Sequence, residues 1–250
     1  MIENSMPLGN KHIQRIVPTG LLELSFYLGD KPSSSDPQKS ISESSVITGQ
    51  LKEFFDIQIT GKLSLFSVYF YPHGLALFLD IPVRELNNLT VPLQQLMFPV
   101  AKELEEKLAE TPSFQKRIAL MELFLLDRLR KIAAKPHKKR IRNSIEIINR
   151  SGGMVDINTL ASEACLSRKQ FERMFQDTVG TSPKQLLKII RFQHAIRKKA
   201  YGKELSLTEI AFECGYYDQS HMIRDFLHLS GKTPKEYFQE GEAFSDYFQE

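Results

Sequence analysis

The 250-residue chain has no tryptophan and only two cysteines, Cys165 and Cys214. Two thiols exclude a disulfide framework or a thiolate metal cluster. Both lie among small or apolar neighbours and are expected to be buried and reduced. No run of eighteen apolar residues occurs, so no membrane-spanning helix is expected. The N-terminus lacks a basic-then-apolar leader, which places the expected location in the cytoplasm, near the nucleoid if the partner is DNA. Histidine is scarce as well. Before residue 135 only His12 and His73 occur, too few and too far apart to hold a metal on strands. Neither a P-loop, a glycine-rich dinucleotide turn nor a nucleophile elbow is found, so no enzyme activity and no cofactor is expected. Glu103, Glu105 and Glu106 cluster, but on a helix face where solvation accounts for them.

What is present is ordinary in amount and uneven in placement. Apolar residues make up 42% and charged residues 25%, as in a globular protein long enough for two cores. The formal net charge is +3. Residues 1–135 are neutral, residues 136–235 carry +8, and the last fifteen residues carry −5. A basic block of that length suits a polyanion, because each lysine or arginine set against a phosphate releases a counterion.

The basic block contains a repeat. Arg173-x-Phe175-x4-Gly180-x-Ser182-Pro183 returns as Arg224-x-Phe226-x4-Gly231-x-Thr233-Pro234 at an offset of 51. Upstream, Leu160-Ala161 and Cys165 pair with Ile210-Ala211 and Gly215 at an offset of 50, so the second copy has one extra residue in its turn. Each copy reads as two short helices around a tight turn. Ser167 and Asp218 are placed as N-caps of the second helices. Phe171, Met174 and Phe175 form one inward stripe, Met222 and Phe226 another. The outer faces keep Arg168, Lys169, Gln170, Glu172 and Arg173 in one copy, and Gln219, Ser220, His221 and Arg224 in the other. Between the copies, Pro183–Tyr201 predicts a long helix with Leu186, Leu187, Ile190, Ala195 and Ile196 inward. Such a connector would hold two reading helices on successive major-groove segments about 34 Å apart, with some bending of straight duplex.

The two copies resemble the DNA-binding domain of the AraC/XylS family of bacterial transcription regulators. The second copy carries most of the likeness, through Gly215, Tyr216, Asp218, Ser220, Met222, Arg224, Phe226, Gly231, Thr233 and Pro234. The likeness extends over Lys138 to Phe238, with Cys165 where glycine is common, Met222 where an aromatic is usual and Lys169 where some members carry a bulky residue. It implies a sequence-specific DNA-binding regulator whose DNA-contacting set is Ser167, Arg168, Lys169, Gln170, Arg173, Asp218, Gln219, Ser220, His221 and Arg224. The implied partners are double-stranded DNA, a small-molecule effector, RNA polymerase where the protein activates, and a second copy of the chain, with no membrane. The alternative is a DNA-modifying or repair enzyme carrying the same domain; that needs a reactive cysteine, which neither helix-turn-helix cysteine resembles.

Ahead of the block the texture is that of strands: Leu22–Leu28, Val46–Gln50, Phe54–Thr60 and Leu63–Tyr71 are β-branched and aromatic. Ile57–Leu63 reads as a hairpin turning at Gly61-Lys62, and Lys31–Ser45 as a polar, mobile loop. Short helices are predicted over Gly74–Leu79, Val83–Asn87 and Pro92–Leu96. The run from Phe66 through Val68, Phe70, Pro72 and Gly74 resembles the cupin-like sensor half of some AraC-type regulators, which puts Tyr69, Tyr71 and His73 at an effector mouth. Next come a helix over Val100–Glu110, where Glu103 and Lys107 pair, and another after Thr111-Pro112-Ser113. The second is apolar around much of its circumference, and Ile118, Met121, Leu125 and Leu129 are the residues expected at a dimer interface. Lys135–Arg140 reads as a basic linker, followed by a leading helix with Ile141, Ile145, Ile147 and Ile148. The acidic tail after Phe238 is expected to be solvated or to fold back on the basic domain.

The sequence therefore predicts an α+β, two-domain chain. It comprises a cupin-like sheet or barrel over residues 1–99, a helical linker over 100–135, and an all-α domain with two helix-turn-helix units joined by a long helix over 136–250.

Overall fold

The computed structural model describes residues 2–5, 11–131, 137–201 and 205–239. The acidic tail beyond Gln239, with the behaviour expected of it, lies outside the described residues. A β-rich first half precedes a helical second half, as the sequence pattern requires.

The strands are β1 (Ile2–Ser5), β2 (Lys11–Ile16), β3 (Leu22–Tyr27), β4 (Ser33–Ser34), β5 (Ser45–Thr48), β6 (Phe55–Thr60), β7 (Lys62–Phe70) and β8 (Thr90–Pro92). They form two antiparallel sheets, one of order β1-β7-β3-β5-β8 and one of order β2-β6-β4. Alternation along β3 decides what each face of the larger sheet meets. Leu22, Leu24 and Phe26 join Phe66 and Phe70 of β7 in a dry core. That core is closed by Leu93 of α1 (Leu93–Met97), by Ala101, Leu104 and Leu108 of α2 (Val100–Glu110), and by Met121 of α3 (Phe114–Lys131). Burying each of these large side chains contributes about 1.5–3 kcal/mol. The opposite face looks toward the smaller sheet, where Ile57 and Ile59 of β6 meet Leu63 and Leu65 of β7.

The expected hairpin at Gly61 is not one. β6 and β7 belong to different sheets, and Gly61 is the corner between them, at φ 79°. A Cβ at Gly61 would stand 2.3 Å from Asp30 Oδ2, which accepts a hydrogen bond from Lys62 N at 2.7 Å. The alternation on either side is genuine, but alternation does not say which sheet a strand joins. The Lys31–Ser45 stretch also holds more structure than its polarity suggested. It contains β4, a 3₁₀ turn at Pro37–Lys39 and a buried lysine, Lys39, whose Nζ donates to Asn88 O. Burial pushes the Lys39 ammonium below its ordinary range, against the pull of Asp36.

The leading helix of the second half begins inside the expected linker. The basic run Lys138–Arg140 is not a linker but the opening of α4 (His137–Arg150), whose Ile141, Ile145 and Ile148 are buried. Helices α5 (Ile157–Glu163) and α6 (Arg168–Val179) form the first unit, and α8 (Leu207–Glu213) and α9 (Gln219–Ser230) the second. The connector α7 (Pro183–Tyr201) supplies Leu186, Leu187 and Ile190 to the first core and Ile189, Phe192 and Ala195 to the second. The last helix is α10 (Pro234–Gln239), whose Tyr237 packs edge-on against Phe192 and Phe226.

The two halves share side chains. Val17, between β2 and β3, is buried in the core of the second unit, with Phe54 packed beside it. Gln193 Nε2 donates to Pro18 O at 2.8 Å, and Gln185 Nε2 donates to Lys52 O at 3.0 Å. Arg15 holds Asp56 with two bonds of 2.8 Å, lies 4.2 Å over the Phe54 ring and donates to Ser230 O at the end of α9. Among the described residues no helix is long and apolar enough to cross a membrane.

Candidate nucleic-acid interface

Each unit is built by caps that its sequence dictates. Asp156 caps α5 through Asn158 N, and Ser206 caps α8 in a reciprocal box with Glu209. In the first turn Cys165 takes φ 52°, with Leu166 N bonded to Ala161 O at 3.0 Å; in the second, Gly215 takes φ 71°, with Tyr216 N bonded to Ala211 O at 2.9 Å. These are the same turn, and the extra residue of the second copy is the second of a tyrosine pair, Tyr216-Tyr217. Tyr216 turns inward and Tyr217 outward. Ser167 then caps α6 in a box with Gln170, and Asp218 caps α9 by accepting from His221 N at 2.6 Å. Both second helices close on a left-handed glycine, Gly180 and Gly231.

One expectation about the cysteines fails. Cys214 is buried, and burial pushes its thiol up to about 11. Cys165 is exposed, because a residue at positive φ in a turn directs its side chain away from the helix pair.

The residues singled out for DNA contact divide by what already holds them. Arg173 and Arg224 are exposed at equivalent places on α6 and α9, as are Lys169 and Ser220 near the helix starts. Arg168 is exposed but paired with Glu172 at 3.0 Å. Ser167, Gln170 and Asp218 spend their polar atoms on capping, and Gln219 accepts from Thr208 Oγ1 at 3.2 Å. His221 is half-buried, with its ring edge-on to Tyr216 at 5.4 Å. Of the expected inward stripes, Phe171, Phe175, Met222 and Phe226 are fully buried and Met174 is half-buried.

A groove missed by sequence reasoning runs between the start of α7 and α9, lined by Lys184, Lys188, Arg191, His221 and Arg224. Lys184 and Lys188 are one helical turn apart, a spacing that could have marked them. Lys188 reaches Asp225 at 3.2 Å, a carboxylate only 6% exposed. The pairing fixes the lysine stem against α9, so the groove's positive rim is part of the second unit.

The other candidate residues are scattered. Tyr69 lines a cavity between the two sheets. Tyr71 is exposed instead, lines a cleft against α4 and α7 with Arg150, His194 and Arg197, and stacks on His73. Burial, reinforced by Arg142, lowers the His73 pKa, and burial with Lys198 and Arg197 does the same at His194. On α3, Met121 is buried in the first-half core and Leu125 packs against it, while Ile118, Leu123, Leu126 and Leu129 stay exposed.

Comparison with known proteins agrees with this geometry. Residues 160–240 match the family described as "Helix-turn-helix domain", and residues 2–92 match a "Domain of unknown function (DUF6597)". The HTH-type transcriptional regulator Rv1931c of Mycobacterium tuberculosis is 33% identical over 35% of this chain and 34% of its own. The RCS-specific HTH-type transcriptional activator RclR of Escherichia coli is 32% identical over 37% of this chain and 32% of its own. The chain thus spans about a third of the length of these relatives. Across 95% of this chain and 97% of the other, the fold is that of ToxT from Vibrio cholerae, at a TM-score of 0.51 and 13% identity. The second half of the chain therefore carries a helix-turn-helix domain similar to those of HTH-type transcription regulators, joined to a β-rich half that matches a domain of unknown function.

Proposed function

We propose that the chain is a sequence-specific transcription regulator that reads two successive major-groove segments of double-stranded DNA with α6 and α9. One observation carries this reading. Two exposed helices, each with an arginine at the same position, are fixed to one connector that contributes to both of their cores. Arg173 and Arg224 donate to guanine edges or clamp phosphate. Lys169, Ser220 and His221 reach base edges near the helix starts, with Arg168, Gln170 and Gln219 joining when their internal bonds exchange for contacts with bases. Ser167 and Asp218 act mainly by setting the helix starts. The groove lysines Lys184 and Lys188 add phosphate contact and salt dependence.

The domain plan is a β-rich controlling half (1–99), a helical segment (100–135) and the reading half (136–250). Control enters through the first half, by a small-molecule effector or by pairing of two chains along the exposed Ile118, Leu126 and Leu129 of α3; an activator would in addition touch RNA polymerase. The protein acts as a regulator and not as an enzyme.

Selection of bound sequences from random duplexes by the intact protein, near physiological salt, tests the reading. A motif of two blocks about one helical turn apart is expected. Binding that is salt-sensitive but free of any sequence preference would overturn it.

A further inference from the structure

We infer that the space between the two sheets is a binding site for a small organic cation, an amine with a short apolar body, held by Glu23 and sensed through Val17. The inference rests on the reading of the first half as the controlling one.

In a sheet with one wet face, glutamate and serine on that face need no explanation. Here both faces are covered, one by α1–α3 and the other by the β2-β6-β4 sheet. Yet the second covered face is polar along one line. Tyr69, Glu23, Thr48 and Thr90 are direct cross-strand partners on β7, β3, β5 and β8, forming a single row across four strands. The four residues of the row are each half-buried and Ser25 beside them is buried, and polar groups drawn away from water are costly unless paired. Those in this row and the next are paired largely with one another. Ser25 Oγ, Ser67 Oγ and Tyr69 OH donate to Glu23 Oε1 at 2.8, 2.6 and 3.2 Å, and the hydroxyls of Thr48 and Thr90 lie 3.2 Å apart. Among the described residues no donor reaches Glu23 Oε2.

The row borders a cavity of about 70 Å³, in which Glu23 is the sole charged lining residue among those described. The rest of its wall includes Ile16, Leu51, Phe55, Ile57, Leu63 and Leu65, so the cavity has one acidic spot in an apolar shell. That arrangement selects by charge. A carboxylate ligand would be repelled, with no cation among the described lining residues to offset it. An alcohol would gain a neutral hydrogen bond, while an ammonium gains a charge-assisted one and the nearby rings of Tyr27 and Tyr69, which also line the space.

The route to the reading heads is short. Val17 lines the cavity and is at the same time buried, 5% exposed, in the core of the second helix-turn-helix unit. Its chain neighbours on this segment, Arg15 and Pro18, bond to Ser230 and Gln193. Filling the cavity therefore bears on the strip of chain that anchors α9 and α7, which is the differential contact that coupling between two sites requires.

The test is thermal unfolding of the intact protein with butylamine, butanol and butyrate at matched ionic strength. The expected result is a concentration-dependent rise in Tm with butylamine, a smaller one with butanol and none with butyrate. Glu23→Gln should abolish the butylamine effect. The ranking is read on the unaltered protein, so it decides the matter even if the variant folds poorly. Butyrate equal to butylamine, no response to any of the three, or an undiminished amine response in Glu23→Gln would each overturn the inference. Selection of DNA sequences by the unliganded protein is a separate measurement. Specific DNA binding without an amine response would sink the cation site and leave the regulator standing.

Discussion

Helix α6 ends at Gly180 against Val83, on the 3₁₀ turn Val83–Leu86, whereas α9 ends at Gly231 against Phe54 and Arg15. A Cβ at Gly180 would approach Val83 Cγ1 to 2.9 Å; one at Gly231 would approach the Phe54 ring to 2.6 Å and Arg15 Nη1 to 2.8 Å. Two copies of one motif thus rest on the first half at the same point of their anatomy, but through different materials. The first unit touches it through an aliphatic side chain and the exposed Arg84–Asp177 pair. The second shares a core with it, through Val17 and Phe54, and a bidentate ion pair. A repeat therefore need not mean equal contact: both heads rest on the first half, and only the second shares a hydrophobic core with it through Val17 and Phe54.

The sharpest way to break this comparison is to empty equivalent core positions. Phe175→Ala and Phe226→Ala should each cost about 3–5 kcal/mol. Only the second should also loosen the packing of Val17 and Phe54, seen as faster amide exchange at residues 15–17 and 54. Equal exchange in both variants would refute the asymmetry. Next in size, Arg173→Ala and Arg224→Ala should each weaken a specific site by about 1–3 kcal/mol, and each should relax preference in one block of the motif and not the other. Loss spread over both blocks in a binding-site selection would refute independent reading.

Smaller effects, of opposite sign, are expected at the two turns. Cys165→Gly should stabilise the first unit by about 1 kcal/mol and Gly215→Ala destabilise the second by a similar amount, because both positions need positive φ. Denaturant midpoints measure this; a shared sign would show that packing and not backbone decides there. The smallest effect is one of acid. Hydrogen bonding to Arg15 holds the Asp56 carboxyl below its ordinary range, so its contribution is present above the unfolded carboxylate pKa and fades as pH falls through the lowered one. Below about pH 4 the buried-side anchor of the second unit should weaken, while the first unit loses its exposed Arg84–Asp177 pair but keeps the aliphatic contact at Val83. Amide exchange at the two helix ends between pH 6 and 3.5 reports it.

The helical half was almost wholly legible, because its caps and stripes are local: Ser167 three residues before Gln170, Asp218 before His221, phenylalanines one turn apart. What was not legible depends on neighbours far away in sequence. Glu23 alternates with Leu22 and Leu24, the pattern of a strand with a solvated face, and only the second sheet makes that face half-buried. Gly61 looks like a hairpin turn until the strands beside it prove to belong to different sheets. Tyr69 and Tyr71 lie two apart and would share a face in a regular strand. β7 ends at Phe70, so they diverge, one into the cavity and the other into a cleft against α4. Cys165 reads as buried by its neighbours and is turned outward by its own backbone.

The connector α7 has a consequence for the interval between the two units. It is 19 residues of continuous helix with opposite faces committed to two cores. Inserting one residue in its middle would swing everything beyond it by about 100° and lengthen it by about 1.5 Å, tearing one core from its own helix. Substitutions on the exposed faces of α6 or α9 carry no such penalty. If α6 and α9 read two operator blocks as proposed, changes on their outer faces would alter the letters of each block, while α7 would hold the interval between the blocks.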